Sequence, residues 1–154
     1  MQILSSFLSA LQANGDFLTL TRQNPDSMLS FDFEVSHLQT DAKTKVSVLD
    51  TGIILFDPVG RETSKDIVLS CGVHGNETAP IEICADLVKA IILGEHELNE
   101  RVLFLFGNPW AMNIDQRFEE ENMNRLFSGA HSEPALSNKE RVRAKLLEDS
   151  VTEF

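Results

Sequence analysis

Two short runs hold residue types that could act together on a polar substrate. The first is Gly72-Val73-His74-Gly75-Asn76-Glu77-Thr78-Ala79-Pro80, set where an apolar strand-like run gives way to a helical one. An imidazole nitrogen and a carboxylate oxygen are both standard ligands of Zn2+. With two residues between them, in a turn to which Gly75 gives backbone freedom, His74 and Glu77 can point at one ion. The spacing differs from the H-E-x-x-H helix, in which the glutamate is a base; here Glu77 would itself be a ligand. The plain alternative is that both are ordinary loop residues, and the glycines and the strand-to-helix setting weigh against it.

The second run is Asn108-Pro109-Trp110-Ala111, then Arg117, then Asn122-Met123-Asn124-Arg125-Leu126-Phe127. Arginine offers a planar fork of donors that grips a carboxylate with two bonds, and asparagine adds a directional donor and acceptor. The competing reading is surface salt bridging of Arg117 and Arg125 to the adjacent Glu119, Glu120 and Glu121, which contributes little. Cys71 lies three residues before His74, so a thiolate-imidazole pair has to be weighed. Its register with Ile67 and Leu69 makes it a small buried hydrophobe instead, and no second C-x-x-C element completes a structural zinc site. Cys84 reads as helix core. His37, His96 and His131 lack partners at ligand spacing and read as solvated surface residues.

These runs need elements to position them. Met1 to Leu11 reads as an amphipathic helix with Ile3, Leu4, Phe7, Leu8 and Leu11 on one face, ended by Asn14 and Gly15. Alternating runs at Phe17–Leu20, Phe31–Val35, Val46–Leu49 and Ile53–Phe56, separated by turn signals, predict antiparallel strands. Ile67–Cys71 and Val102–Phe106 then read as buried strands. Between them Pro80–Leu93 reads as a helix with Cys84, Leu87, Val88 and Ile91 inward, which makes a β-α-β unit. Such units imply a sheet flanked by helices, with ligands at the carboxyl ends of its strands. The polar passage from Gly107 to Pro134 holds a short helix near Ala111. Asn138–Phe154 reads as a charged helix with Val142, Leu146 and Leu147 inward. No repeat or linker divides the chain, so residues 1–154 form one domain.

The balance of 13 basic against 24 acidic residues gives a net charge of -11, which repels nucleic acid and anionic membrane surfaces. An anionic small molecule would be repelled too, so a site for one needs local arginines. No run approaches the roughly 20 apolar residues that span a bilayer. The N-terminal stretch lacks the pattern of a secretion signal. A cytoplasmic, disulfide-free protein fits these features.

Taken in order, the H-G-x-E turn, the N-P-x-A turn after the next strand, the arginine and the N-R-x-F run resemble the succinylglutamate desuccinylase and aspartoacylase family of zinc carboxypeptidase-like hydrolases. The resemblance is closest over Ile67 to Phe127 and looser outside it. It implies an α/β fold, a zinc carboxypeptidase-like mixed sheet flanked by helices, of which this chain is the N-terminal portion. By the same resemblance His74 and Glu77 match the first two zinc ligands. Arg117 matches the arginine that stabilises the oxyanion, and Asn124 with Arg125 match the pair that holds a substrate carboxylate. Asn122 stands where relatives often carry aspartate. The family takes a third ligand, a histidine on a later strand, and a glutamate base beyond it, and neither motif occurs before Phe154. The chain is therefore expected to be cut short and inactive alone. The implied reaction is zinc-dependent hydrolysis of N-succinyl-L-glutamate in arginine catabolism. The rivals are an aspartoacylase-like hydrolase of N-acyl amino acids and a non-catalytic domain of the same fold.

Overall fold

Alternation of apolar and polar residues sets the first strands. β1 (Phe31–Ser36) buries Phe31, Phe33 and Val35 and exposes the residues between them, as a strand with one wet face must. β2 (Lys43–Asp50) and β3 (Ile53–Pro58) follow as antiparallel neighbours. The computed structural model describes residues 2–132 and 137–154. The strand order is β1-β2-β3-β5-β4, where β4 is Asp66–Cys71 and β5 is Arg101–Phe106. β3 and β5 are antiparallel, whereas β4 and β5 are parallel and joined through α3 (Thr78–Ile92). The sheet is thus mixed, and the β-α-β unit expected from the sequence is present.

β5 is the strand most completely enclosed. Val102, Phe104 and Phe106 face a core shared with α1 (Gln2–Asn14), α2 (Phe17–Gln23) and α3. Leu103 and Leu105 face a second core, closed by Met123, Leu126, Ala144 and Leu147. The latter two residues come from α5 (Lys139–Glu153). Removing each large apolar side chain from water contributes about 1.5–3 kcal/mol. Edge-on ring contacts at 5.7 Å between Phe56 and Phe104, and at 5.9 Å between Phe17 and Phe106, add direction to that packing. The second of these pins α2 beneath the carboxyl end of β5.

Four readings of the sequence are corrected. Phe17–Leu20 is helix, not strand. Asp16 caps it by accepting from the Thr19 N–H at 3.0 Å, and Phe17, Leu20 and Thr21 fall on one buried stripe. A four-residue apolar run carries too little period to separate the two cases. β4 is not a buried strand. It is the sheet edge, with Ile67 36% and Val68 38% exposed. On α3, Leu87 is exposed, and Ile81, Cys84, Val88, Ile91 and Ile92 form the inner face. On α5, Val142 is exposed, Leu146 is partly buried against the second core, and Leu147 is inward as expected. On α1, Leu11 is buried with Phe7 and Leu8 packed beside it, while Ile3 and Leu4 lie outside the residues described at side-chain level. The end of the 107–134 passage, residues 133–134, also lies outside the described residues.

Candidate functional site

Because β4 and β5 are parallel neighbours, their carboxyl ends deliver two loops to the same end of the sheet. The loops are stitched together: Gly107 N–H donates to Cys71 O and Asn108 N–H to Gly72 O, each at 2.8 Å. Gly72 holds φ +65°, which a side chain disfavours, and a Cβ there would strike the Met112 methyl. Gly75 is required for a different reason than the turn freedom expected of it. A Cβ at that position would lie 2.1 Å from the Ala111 carbonyl carbon and 2.3 Å from Met112 N, so backbone packs directly on backbone. The partner in that contact is α4 (Pro109–Asn113), which begins with Pro109 at its first turn. The buried Asn108 caps it, accepting from Ala111 N–H at 3.1 Å. The H-G-x-E and N-P-x-A turns therefore form one rigid block.

On that block His74 and Glu77 converge. His74 is buried, and its Nδ1 lies 2.8 Å from Glu77 Oε1. Glu77 occupies the N-cap position of α3 but makes no side-chain capping bond, so its carboxylate is committed to His74 instead. The other ring nitrogen, Nε2, lies 3.0 Å from Asn122 Oδ1. The same Oδ1 accepts from the Asn124 N–H at 3.1 Å. A backbone N–H can only donate, so the atom it meets is the amide oxygen, and Nε2 must then be the donor to that oxygen. This leaves a lone pair on Nδ1 aimed at a carboxylate oxygen. His74 and Glu77 thus turn a nitrogen and an oxygen donor atom toward one another, 2.8 Å apart.

Asn122 also caps the 3-10 turn Met123–Arg125, which is sunk into the second core by Met123 and Leu126. Asn124 and Arg125 are exposed on that turn, two and three residues from the group that touches His74. Arg117 is exposed on the loop after α4 and bonds to none of the other four residues. Among the described residues neither Arg117 nor Arg125 forms an ion pair. Two of the three glutamates that could have quenched them, Glu119 and Glu121, have their carboxylates held by the start of α5. Glu121 takes both Arg141 Nε and Nη2 at 2.7 Å, Glu119 takes Lys139 Nζ at 2.5 Å, and the Glu119 and Glu120 N–H groups donate to Glu140. Surface salt bridging, the competing reading of these arginines, is therefore not what the fold does with them.

Residues 63–154 match the profile described as the succinylglutamate desuccinylase/aspartoacylase catalytic domain. The chain belongs to this family. It is 52% identical over 148 residues to the succinylglutamate desuccinylase of Shewanella amazonensis and 53% identical over 148 residues to that of Shewanella putrefaciens. Those alignments take in 96% of this chain but 41% and 42% of the relatives, so the chain spans about two fifths of their length. In structure it resembles the succinylglutamate desuccinylase of Chromobacterium violaceum (TM-score 0.71, 34% identity), covering 90% of this chain and 40% of that one. The corresponding enzyme of Vibrio cholerae gives a TM-score of 0.75 at 29% identity, with 90% and 38% covered.

In this member of the succinylglutamate desuccinylase/aspartoacylase family the fold also uses residues that sequence reasoning passed over. Glu140 is 0% exposed, and its Oε1 accepts from Asn108 Nδ2 at 3.3 Å, Glu119 N at 2.9 Å and Glu120 N at 3.1 Å. Arg143 is buried and donates Nε to Gly107 O and Nη2 to Phe106 O, each at 2.9 Å, which holds the end of β5. Burial pulls its guanidinium down to about 10, against the pull of Asp50, so it stays charged at neutral pH. The signal was present in the spacing. Positions 140, 143, 144 and 147 share one helical face, and two of them are charged, which disguises the inward stripe. Two histidines are corrected as well. His37 is buried with Nε2 3.1 Å from Thr44 Oγ1, and His131 is held between Glu148 and Leu126 O. His96 is exposed as expected, and Cys71 and Cys84 are free and buried. Burial, and then neighbouring Cys84, push the Cys71 thiol well above its usual range, which makes it inert as a nucleophile.

Proposed function

We propose that His74, Glu77, Arg117, Asn124 and Arg125 serve the zinc-dependent hydrolysis of N-succinyl-L-glutamate to succinate and L-glutamate. This would be a cytoplasmic step of arginine catabolism, carried out when these residues stand in a chain of their relatives' length. The observation that carries the reading is the clamp: Nδ1 of His74 and Oε1 of Glu77, 2.8 Å apart, with Nε2 already committed to Asn122. This is a nitrogen and oxygen donor pair fit for two positions of a tetrahedral zinc site. Among the described residues no group of three or more His, Cys, Asp or Glu is arranged to hold an ion. The third ligand and the general base belong, on this reading, to a later part of a relative-length chain.

Bound zinc would supply Lewis acidity and a water of lowered pKa. The residues present do the rest of the work assigned to this part of the chain. Arg125 and Asn124, on a turn fixed by buried Met123 and Leu126, offer a bidentate fork and a directional amide to a substrate carboxylate. Arg117, exposed and unpaired among the described residues, is available to the oxyanion that develops as the amide carbonyl is attacked. The two arginines, without ion pairs among the described residues, offer positive charge to an anionic substrate in a chain of net charge -11. The family description includes aspartoacylase. The names of the Shewanella relatives, at about half identity, favour the succinyl substrate.

The test is metal content followed by turnover. In a chain extended to the relatives' length, His74→Ala should lose its zinc by elemental analysis, and undiminished metal would remove the assignment. The 154-residue chain alone should release no succinate even with zinc added, because two protein ligands fall short of the three that fix a catalytic ion. Turnover equal to that of the extended chain would overturn this reading.

A further inference from the structure

The loop that carries Arg117 is fastened at both ends, and a single buried carboxylate holds its exit. At its start, Asn113 is held by α2: Arg22 Nε donates to Asn113 Oδ1 at 3.1 Å, and Asn113 Nδ2 donates to Arg22 O at 2.8 Å. At its end, two residues past Arg117, the Glu119 and Glu120 N–H groups converge on Glu140 Oε1. The same oxygen receives Asn108 Nδ2, whose own Oδ1 caps α4. Glu140 thus ties the exit of the Arg117 loop to the block that carries His74. The remaining contacts of α5 continue the series: Arg141 and Asn138 hold Glu121, and Asn122 reaches His74. A carboxylate with 0% exposure and no cation among its hydrogen-bond donors is an expensive way to pack a helix. An apolar residue would fill the space more cheaply but would leave two backbone N–H groups and an asparagine without an acceptor. Glu140 Oε2 is buried with no hydrogen-bond partner, so all of the bonding falls on one oxygen.

We propose that Glu140 is a positioning residue for Arg117: it fixes the exit of the loop so that the guanidinium meets the reacting carbonyl. The proposal rests on the function given above. It requires reach rather than charge, because Oε1 alone makes the three bonds. Glu140→Gln keeps that oxygen and places its amide nitrogen where Oε2 has no partner. Glu140→Asp keeps the charge but withdraws the oxygen by one methylene.

Two measurements test this. Hydrogen exchange on the 154-residue chain should find the Glu119 and Glu120 amides protected in the wild type and in Glu140→Gln, and unprotected in Glu140→Asp. Equal protection in all three chains overturns the anchor whether or not any longer chain is active. In the relative-length chain, Glu140→Asp should lower kcat on N-succinyl-glutamate by about 100-fold, the scale of a misplacement near 1 Å, with KM little changed. Glu140→Gln should restore it. Combining Glu140→Asp with Arg117→Ala should lose no more than Arg117→Ala alone, because the anchor acts only through that arginine. Losses that multiply, or a defect in Glu140→Gln but not in Glu140→Asp, would reduce Glu140 to a structural or electrostatic role. Absence of turnover in the wild-type extended chain would bring down the function reading and, with it, the catalytic purpose of the anchor.

Discussion

A histidine that donates through Nε2 is left with Nδ1 as its only acceptor nitrogen. Asn122 imposes this here, since its oxygen is fixed by the Asn124 N–H and by His74 together. Replacing Asn122 with leucine should leave the ring free to turn and weaken zinc binding by about 10- to 100-fold, read by competition with a chromogenic chelator. Unchanged affinity would make the contact incidental. The two exposed arginines should separate kinetically. Arg125→Ala should chiefly raise KM, because a carboxylate far from the scissile bond is held alike in the ground and transition states. Arg117→Ala should chiefly lower kcat, because charge on the oxyanion exists only at the barrier. Wild-type kinetics in either variant would remove that residue from the site. The meeting of His74 and Glu77 is legible in the sequence because the H-G-x-E spacing, in a turn between strand and helix, brings the two side chains together. The roles of Glu140 and Arg143 are not, because a buried charge looks like a surface charge until its partners are known.

At the scale of elements, the site depends on turns from two different loops touching without side chains between them. Gly75 lies against the Ala111–Met112 backbone, so Gly75→Ala must push the H-G-x-E turn away from α4. The variant should be destabilised by about 1–3 kcal/mol in chemical denaturation, as overpacking of a tight contact generally is. A stability within error of wild type would mean the two turns are not locked. The same dependence explains which elements the sequence revealed. β1 shows clean alternation because one face packs and the other is wet, and β2 follows the same pattern up to Val46, where buried Ser47 interrupts it. α2 reads as a strand in the sequence because its inward stripe is three residues, Phe17, Leu20 and Thr21, and its decisive signal is the Asp16 cap. On α5 apolarity points to Val142 beside Leu146 and Leu147, whereas tertiary hydrogen bonding turns Glu140 and Arg143 inward in its place.

For the whole molecule, the order β1-β2-β3-β5-β4 puts the strand leading to His74 at the edge of the sheet. Its apolar Ile67 and Val68 are exposed, in a chain spanning about two fifths of its relatives' length. A bare apolar edge is a template for pairing, so the 154-residue chain should self-associate with rising concentration in sedimentation velocity. A Val68→Lys change should suppress this; a monomer at all concentrations would argue that the edge is harmless. No helix among the described residues is long and apolar enough to cross a membrane. On the proposed function, this end of the sheet forms the metal- and carboxylate-binding half of a desuccinylase. The most direct measurement is the specificity constant of the relative-length, zinc-loaded chain, with and without His74→Ala, on N-succinyl-glutamate and on N-acetyl-aspartate. Preferred hydrolysis of the succinyl compound, abolished by His74→Ala, is the predicted result. Hydrolysis indifferent to His74, or a preference for N-acetyl-aspartate, would contradict it.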